Sequence, residues 1–193
     1  MKFGIVGCGG IAGTHAECLK KLEDEGLAKF VAGAEPDPGR RQAFGEKWGI
    51  AMHESLDELL ARDDIDAVTI CSPSGLHGAQ AIQIAKSKRH VLSEKPLDTK
   101  LEVADAAIQA AKENGVVLSG IFQQRFVPEV MKVKRAIDAG YFGEIVYVHA
   151  ETPWYRAQSY YDSGDWRGTW DLDGGVLSNQ SPHMIDRLMW LGG

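Results

Sequence analysis

Apolar positions along the chain fall into two rhythms. Short, nearly unbroken apolar runs at about 2–6, 29–34, 67–71, 90–93 and 116–121 alternate with longer stretches at about 11–26, 38–48, 55–62, 76–87 and 100–114. In the longer stretches the apolar residues recur at helical spacing. A run such as Ala67-Val68-Thr69-Ile70-Cys71 carries no polar alternation, as expected of a strand covered on both faces of a parallel sheet. Short strands interspersed with longer helices predict a doubly wound α/β domain with a parallel sheet.

Near Gly120 the rhythm changes, and the boundary between two domains is placed there, at 1–120 and 121–193. Beyond it the pattern predicts a helix over about 127–139, ended by Gly140 as a left-handed cap, and an alternating strand at about 144–151. Residues 152–173 are rich in tryptophan, tyrosine, arginine and glycine, a composition suited to a loop over a site. A last helix carries Met184, Ile185, Leu188 and Met189 on one stripe. One strand and two helices are too little for an independent core, because a lone strand leaves both edges unpaired. Either this part leans on the first domain, or sequence is missing.

Composition narrows the functional classes. The 193 residues carry a formal net charge of -6 with no long basic cluster, which argues against nucleic acid as a partner. No apolar run approaches the roughly 20 residues that cross a bilayer, and the amino terminus enters a strand directly, so the reading is a cytoplasmic protein without a membrane partner. Cys8, Cys18 and Cys71 are scattered, with no metal-ligand spacing, and read as reduced structural thiols; no metal site is expected.

The first chemical signature is Gly7-Cys8-Gly9-Gly10-Ile11-Ala12, set between a predicted strand and a predicted helix. In that context Gly7 permits a tight turn, Gly9 lets backbone approach a pyrophosphate, and Ala12 allows close helix packing. Gly10 and Ile11 open the helix, whose N-terminal amides favour an anion. Glu35, at the end of the second strand, stands where a carboxylate takes ribose hydroxyls and repels a 2′-phosphate, favouring NAD over NADP. Arg40 and Arg41 follow closely and could neutralise such a phosphate if Glu35 swung aside. The turn Ser72-Pro73-Ser74-Gly75-Leu76-His77 after the predicted strand at about 67–71 would wall the cofactor cleft. His77 has two readings: a cofactor contact at the start of a helix, or a partly buried histidine with its hydrogen bonds satisfied.

The second signature is Glu94-Lys95-Pro96. Lys95 follows a strand directly, so its side chain can project from the carboxyl edge of the sheet, and Pro96 biases it away from helical backbone. An ammonium there could stabilise a substrate oxygen as it gains charge. Taken together, residues 7–12, 71–77, Glu94-Lys95-Pro96, Gln124-Arg125-Phe126 and the segment from Gly174-Gly175 through His183 to Asp186 resemble the Gfo/Idh/MocA oxidoreductases over essentially the whole chain.

That resemblance implies a Rossmann domain, a second α/β domain with an open sheet, a nicotinamide cofactor, carbohydrate-like substrates, and catalytic positions at Lys95 and His183. It also implies a chain that extends further and a homo-oligomer at full length, so that this chain reads as C-terminally truncated. Members commonly have an aspartate four residues before the histidine, where this chain has Asn179. Asn179 and His183 share a face if the segment is one helix; alternatively Pro182 marks a first turn capped by Ser181. Asn179 can orient a hydroxyl or the histidine but cannot accept a proton as a carboxylate does.

The stretch holding Trp154, Tyr155, Arg156, Tyr160, Tyr161, Trp166 and Arg167 is expected to set substrate choice, because flat rings stack on sugar faces and arginines read hydroxyls or a carboxylate. Arg156 points to an acidic or nucleotide-linked sugar; part of the aromatic set could instead form a core or a subunit interface. Arg125 reads either as a cleft residue or as a buried salt-bridge partner. The functional expectation is an NAD(P)-dependent oxidoreductase moving a hydride between nicotinamide and a hydroxyl of a sugar, cyclitol or derivative. Two alternatives stand beside it: an NAD-dependent glycosidase and a non-catalytic dinucleotide-binding regulator.

Overall fold

The computed structural model describes residues 1–193, which form two compact units, Met1–Gly120 and Ile121–Gly193. In the first unit, strands β1 (Lys2–Val6), β2 (Lys29–Ala34), β3 (Ala51–His53), β4 (Ala67–Ile70), β5 (His90–Ser93) and β6 (Leu118–Gly120) alternate with helices α1 (Gly10–Asp24), α2 (Pro38–Trp48), α3 (Leu56–Leu60), α4 (His77–Lys86) and α5 (Leu101–Asn114). The strands form one sheet in the order β3-β2-β1-β4-β5-β6, every pair parallel. Because β1 is flanked by β2 and β4, the winding reverses there, and crevices at such points lie outside the strands' carboxyl ends.

The apolar runs become central strands because both of their faces are covered. Ile70, Val68, Val91, Ile84 and Ala107 lie in one core cluster, while Ile5, Ala12, Ala16, Leu19, Phe30 and Phe44 lie in another. Burying a side chain such as Ile5 or Ile70, each fully removed from solvent, contributes about 2 kcal/mol. Small residues set the spacing: a Cβ on Gly33 in β2 would meet the Met52 sulfur at 2.8 Å. Two boundaries differ from the hydropathy pattern. β3 is a three-residue edge strand, too short for any periodicity to register, and β6 begins at Leu118 rather than at 116.

The second unit holds α6 (Pro128–Asp138), α7 (Gln158–Tyr161), α8 (Gly175–Asn179) and α9 (Pro182–Gly192). The alternating segment expected to be a strand near 144–151 forms none: its residues are without assigned secondary structure, and Val146 is 90% exposed. A strand exists through its partner's hydrogen bonds, and this unit contains no second strand to supply them. No helix in the structure is long and apolar enough to cross a membrane.

Candidate dinucleotide site and active-site residues

The turn after β1 is built on Gly7. Its φ is +83°, and a Cβ there would lie 2.6 Å from the backbone nitrogen of Ser72, so the β1 and β4 turns touch at a point only glycine fits. Gly9 and Gly10 differ: a Cβ on either would meet nothing within 4 Å. These two exposed glycines and Ile11 start α1, which has no acidic residue in its first turn and no side-chain cap on its amides. An anion meets the positive end of the helix there, over backbone with no side chain above it. Ala12 is fully buried beneath, where a small residue lets the helix sit close to the sheet.

Glu35 closes the turn from the side. Its Oε2 accepts the Cys8 N–H at 2.8 Å and its Oε1 accepts the Asp37 N–H at 3.1 Å, with the residue 6% exposed. The carboxylate therefore braces the loop through two backbone N–H groups. Swinging aside, which the NADP alternative requires, would break both of these bonds. Arg41 donates to the carbonyls of Glu35 and Pro36 at 2.8 and 2.9 Å, so its guanidinium is held on the turn's own backbone. Arg40 is exposed, and its backbone N–H is capped by Asp37 at 2.7 Å.

The β4 turn bears on the two readings of His77. His77 is 1% exposed, with Nδ1 at 2.7 Å from the Pro96 carbonyl and Nε2 at 2.8 Å from the Ser72 carbonyl. Both ring nitrogens are engaged with backbone, and the ring has no surface left for a cofactor. It joins the β4 turn to the Lys95-Pro96 turn instead. Ser72 and Pro73 remain partly accessible at the crevice, with the Ser72 hydroxyl donating to Gln80 at 2.6 Å.

Beyond β5, Glu94 is buried and Lys95 half-buried, and the Lys95-Pro96 peptide is cis. Ser93 pairs with Ile70, so Lys95 leaves the sheet edge level with the β4 turn, next to the reversal point. Glu94 Oε1 accepts from His15 Nε2 at 2.8 Å, and Oε2 accepts the Lys95 N–H at 3.3 Å. Burial pushes the carboxyl's pKa up, but the His15 hydrogen bond and charge, with the Lys95 amide and charge, outweigh it and hold the group below its ordinary value. His15 was not among the expected site residues. Its signal is positional: it falls on the α1 stripe of Ala12, Ala16 and Leu19, where a polar side chain needs a partner.

In the second unit, Asn179 ends α8 and His183 lies in the first turn of α9, so the two do not share one helix. Pro182 begins α9 as the first-turn reading expects, but Ser181 makes no side-chain cap bond. Asn179 donates to Asp173, a 3%-exposed carboxylate absent from the expected set, whose other oxygen accepts the Gly168 N–H at 2.9 Å. His183 is buried, and its ring meets Phe122 edge-on at 6.2 Å. Asp186 is held by Arg125 in a two-pronged pair, the Nε bond measuring 2.7 Å. Arg125 is thus paired as its salt-bridge reading expects, but its side chain is 39% exposed rather than buried; its guanidinium lies 5.5 Å from the Trp190 ring centroid.

The aromatic stretch condenses around Tyr160. Arg156 lies 4.9 Å and Arg167 4.3 Å from its ring centroid, Arg167 also stacks on Trp166 at 4.5 Å, and Tyr161 meets the ring edge-on at 5.2 Å. Arg167 and Gln180 donate to the Tyr160 hydroxyl at 2.6 and 2.8 Å, and Arg156 donates to the Gln180 carbonyl at 2.9 Å. Arg156, Tyr160, Trp166 and Arg167 are thus brought together, whereas Tyr155 stands apart and exposed.

Residues 1–122 match the family model for the oxidoreductase family with an NAD-binding Rossmann fold, and residues 130–193 match the model for its C-terminal domain. The chain belongs to the Gfo/Idh/MocA oxidoreductase family. It is similar across its whole length to the WlbA dehydrogenase from Bordetella pertussis, solved with NADH and UDP-GlcNAcA, at 39% identity and a TM-score of 0.96, covering 55% of that chain. It is 34% identical to myo-inositol 2-dehydrogenase of Thermotoga maritima over 75% of this chain and 42% of the relative. It is 28% identical to 2,7-anhydro-N-acetylneuraminate hydratase of Mediterraneibacter gnavus over 99% of this chain and 49% of that protein. The chain spans about half the length of the curated relatives it matches. The family's dinucleotide fits the residues present: Gly9 and Gly10 leave their backbone uncovered at a bare helix start, and the Glu35 carboxylate stands at the end of β2.

Proposed function

We propose that this chain contains the dinucleotide site and part of the substrate site of an NAD-dependent oxidoreductase acting on a hydroxyl of a sugar or sugar derivative, with a nucleotide-linked sugar acid the best-supported class. The carrying observation is that Lys95 follows the carboxyl end of β5, on the same edge of the sheet as the glycine turn after β1 and two strands from it. Bound NAD supplies the hydride acceptor. Gly9, Gly10 and the start of α1 hold its pyrophosphate, and the Glu35 carboxylate favours free ribose hydroxyls over a 2′-phosphate.

In oxidation, Lys95 donates a hydrogen bond to the substrate oxygen and steadies its developing charge, while His183 removes the hydroxyl proton. Asn179 orients rather than titrates. Arg156 and Arg167, gathered around Tyr160, form a cationic face suited to a carboxylate or a phosphate. The similarity to a dehydrogenase solved with UDP-GlcNAcA supports that class, and the likeness to inositol dehydrogenase supports the broader one.

The test is to follow nicotinamide absorbance in the full protein against UDP-linked uronic acids, free sugars and cyclitols. NADH should appear with a UDP-sugar acid and vanish in Lys95→Ala and His183→Ala, each still binding NAD. NAD binding with no absorbance change on any substrate overturns the dehydrogenase in favour of a regulator. The similarity to a hydratase supports a second reading, a lyase or hydrolase that oxidises only transiently. Product formation without net NADH identifies it.

A further inference from the structure

His15 has no part in the chemistry outlined above, yet it sits between its two halves. It lies on α1, five positions beyond Gly10, and its side chain is 12% exposed while that of Glu94 is 9% exposed. Glu94 is bound on both carboxylate oxygens, by His15 at 2.8 Å and by the Lys95 amide at 3.3 Å, and its own N–H donates to the Ile70 carbonyl at 3.0 Å. A continuous set of contacts therefore runs from the helix that begins at the glycine turn, through His15 and Glu94, to the backbone of Lys95. The carboxylate is kept ionised below its ordinary range by those partners against the opposing effect of burial. A buried charge held from two directions has little freedom, because losing either partner leaves it underpaired.

We propose that His15 is a positioning residue for Lys95: by clamping the Glu94 carboxylate, it fixes the backbone from which the lysine side chain leaves the sheet edge and ties that direction to the dinucleotide helix. The inference rests on the reading of Lys95 as a catalytic residue. A displacement on the ångström scale at a reacting group lowers turnover on the order of 10²-fold, so the clamp acts on kcat rather than on cofactor affinity.

The experiment combines kinetics of the full protein with amide exchange in this chain. His15→Ala should lower kcat on the order of 10²-fold while leaving the NADH dissociation constant within about threefold, a change below 1 kcal/mol. His15→Gln, whose amide nitrogen can occupy the place of Nε2, should recover most of the loss. In a Glu94→Ala background His15→Ala should cost nothing further, since both changes break one clamp. Exchange of the Lys95 amide should accelerate in His15→Ala and return in His15→Gln. Where the alanine variant does not fold, His15→Asn, too short to reach Glu94, takes its place.

Unchanged kcat in His15→Ala, or losses that multiply in the double variant, overturn the positioning role. So does an unchanged Lys95 exchange rate. Lys95→Met separates this failure from that of the underlying reading: full turnover in that variant overturns the catalytic role of Lys95 itself. An inactive Lys95→Met beside a fully active His15→Ala overturns only the clamp.

Discussion

The Oε2 atom of Glu35 accepts the backbone N–H of Cys8 at 2.8 Å, so the end of β2 and the glycine turn after β1 are one hydrogen-bonded unit. A glutamine cannot replace this carboxylate, because one side of its amide would present N–H groups to a backbone N–H. Glu35→Gln should therefore destabilise the chain by about 2 kcal/mol, read from urea unfolding. It should also fail to raise NADPH affinity above NADH, because Arg41 stays bound to the Glu35 and Pro36 carbonyls.

Gly7 and Gly9 separate folding from binding. Gly7→Ala combines a φ of +83° with a Cβ 2.6 Å from the Ser72 nitrogen, and should yield little soluble protein. Gly9→Ala meets nothing within 4 Å and should leave unfolding free energy within about 0.5 kcal/mol of the parent. Its NADH affinity, followed by nicotinamide fluorescence, should nevertheless fall on the order of tenfold, since on the proposed reading the methyl would stand where the pyrophosphate approaches.

Glu94 predicts an acid limb in the stability profile. Its folded pKa lies below the ordinary 4.5, so the unfolded chain binds the proton more readily. The stabilisation is complete above that ordinary value and drains away as pH falls through the lower, folded one. Glu94→Gln should cost stability at neutral pH and flatten the profile below about 4.5, measured by denaturant melts across the acid range. A variant profile parallel to the parent's would refute this assignment.

Thiol reactivity should be confined to one cysteine. Burial, followed by the nearby Glu35 charge, pushes the Cys8 thiol up to about 12, and burial followed by Glu94 pushes Cys71 higher still. Cys18 is exposed on α1. A thiol reagent at mildly alkaline pH should label Cys18 rapidly in the native chain, and all three cysteines only after denaturation.

The first unit was largely legible because its signals are local. Apolar runs, helical periodicity and glycine-rich turns are written into consecutive residues, and the parallel order follows from their alternation. What escaped depends on distant partners. The His15 pairing spans 79 positions, and nothing near it in sequence names Glu94. His77 could be read two ways until the Ser72 and Pro96 carbonyls were seen on either side of its ring. The segment near 144–151 has a strand's alternation and no strand, because alternation states which faces differ and not whether a neighbour is present to pair. Asn179 and Asp173 are six positions apart, but the bend that joins them lies in a stretch without periodicity.

The cluster around Tyr160 has a consequence of its own for anything that docks there. Arg167 and Gln180 together fill the acceptor capacity of the phenol oxygen. The hydroxyl proton must then turn away from both. A surface that reads as a simple cation trap thus presents, at its centre, a neutral donor with a fixed direction, and a visiting molecule is sorted by where it carries a lone pair as much as by its charge.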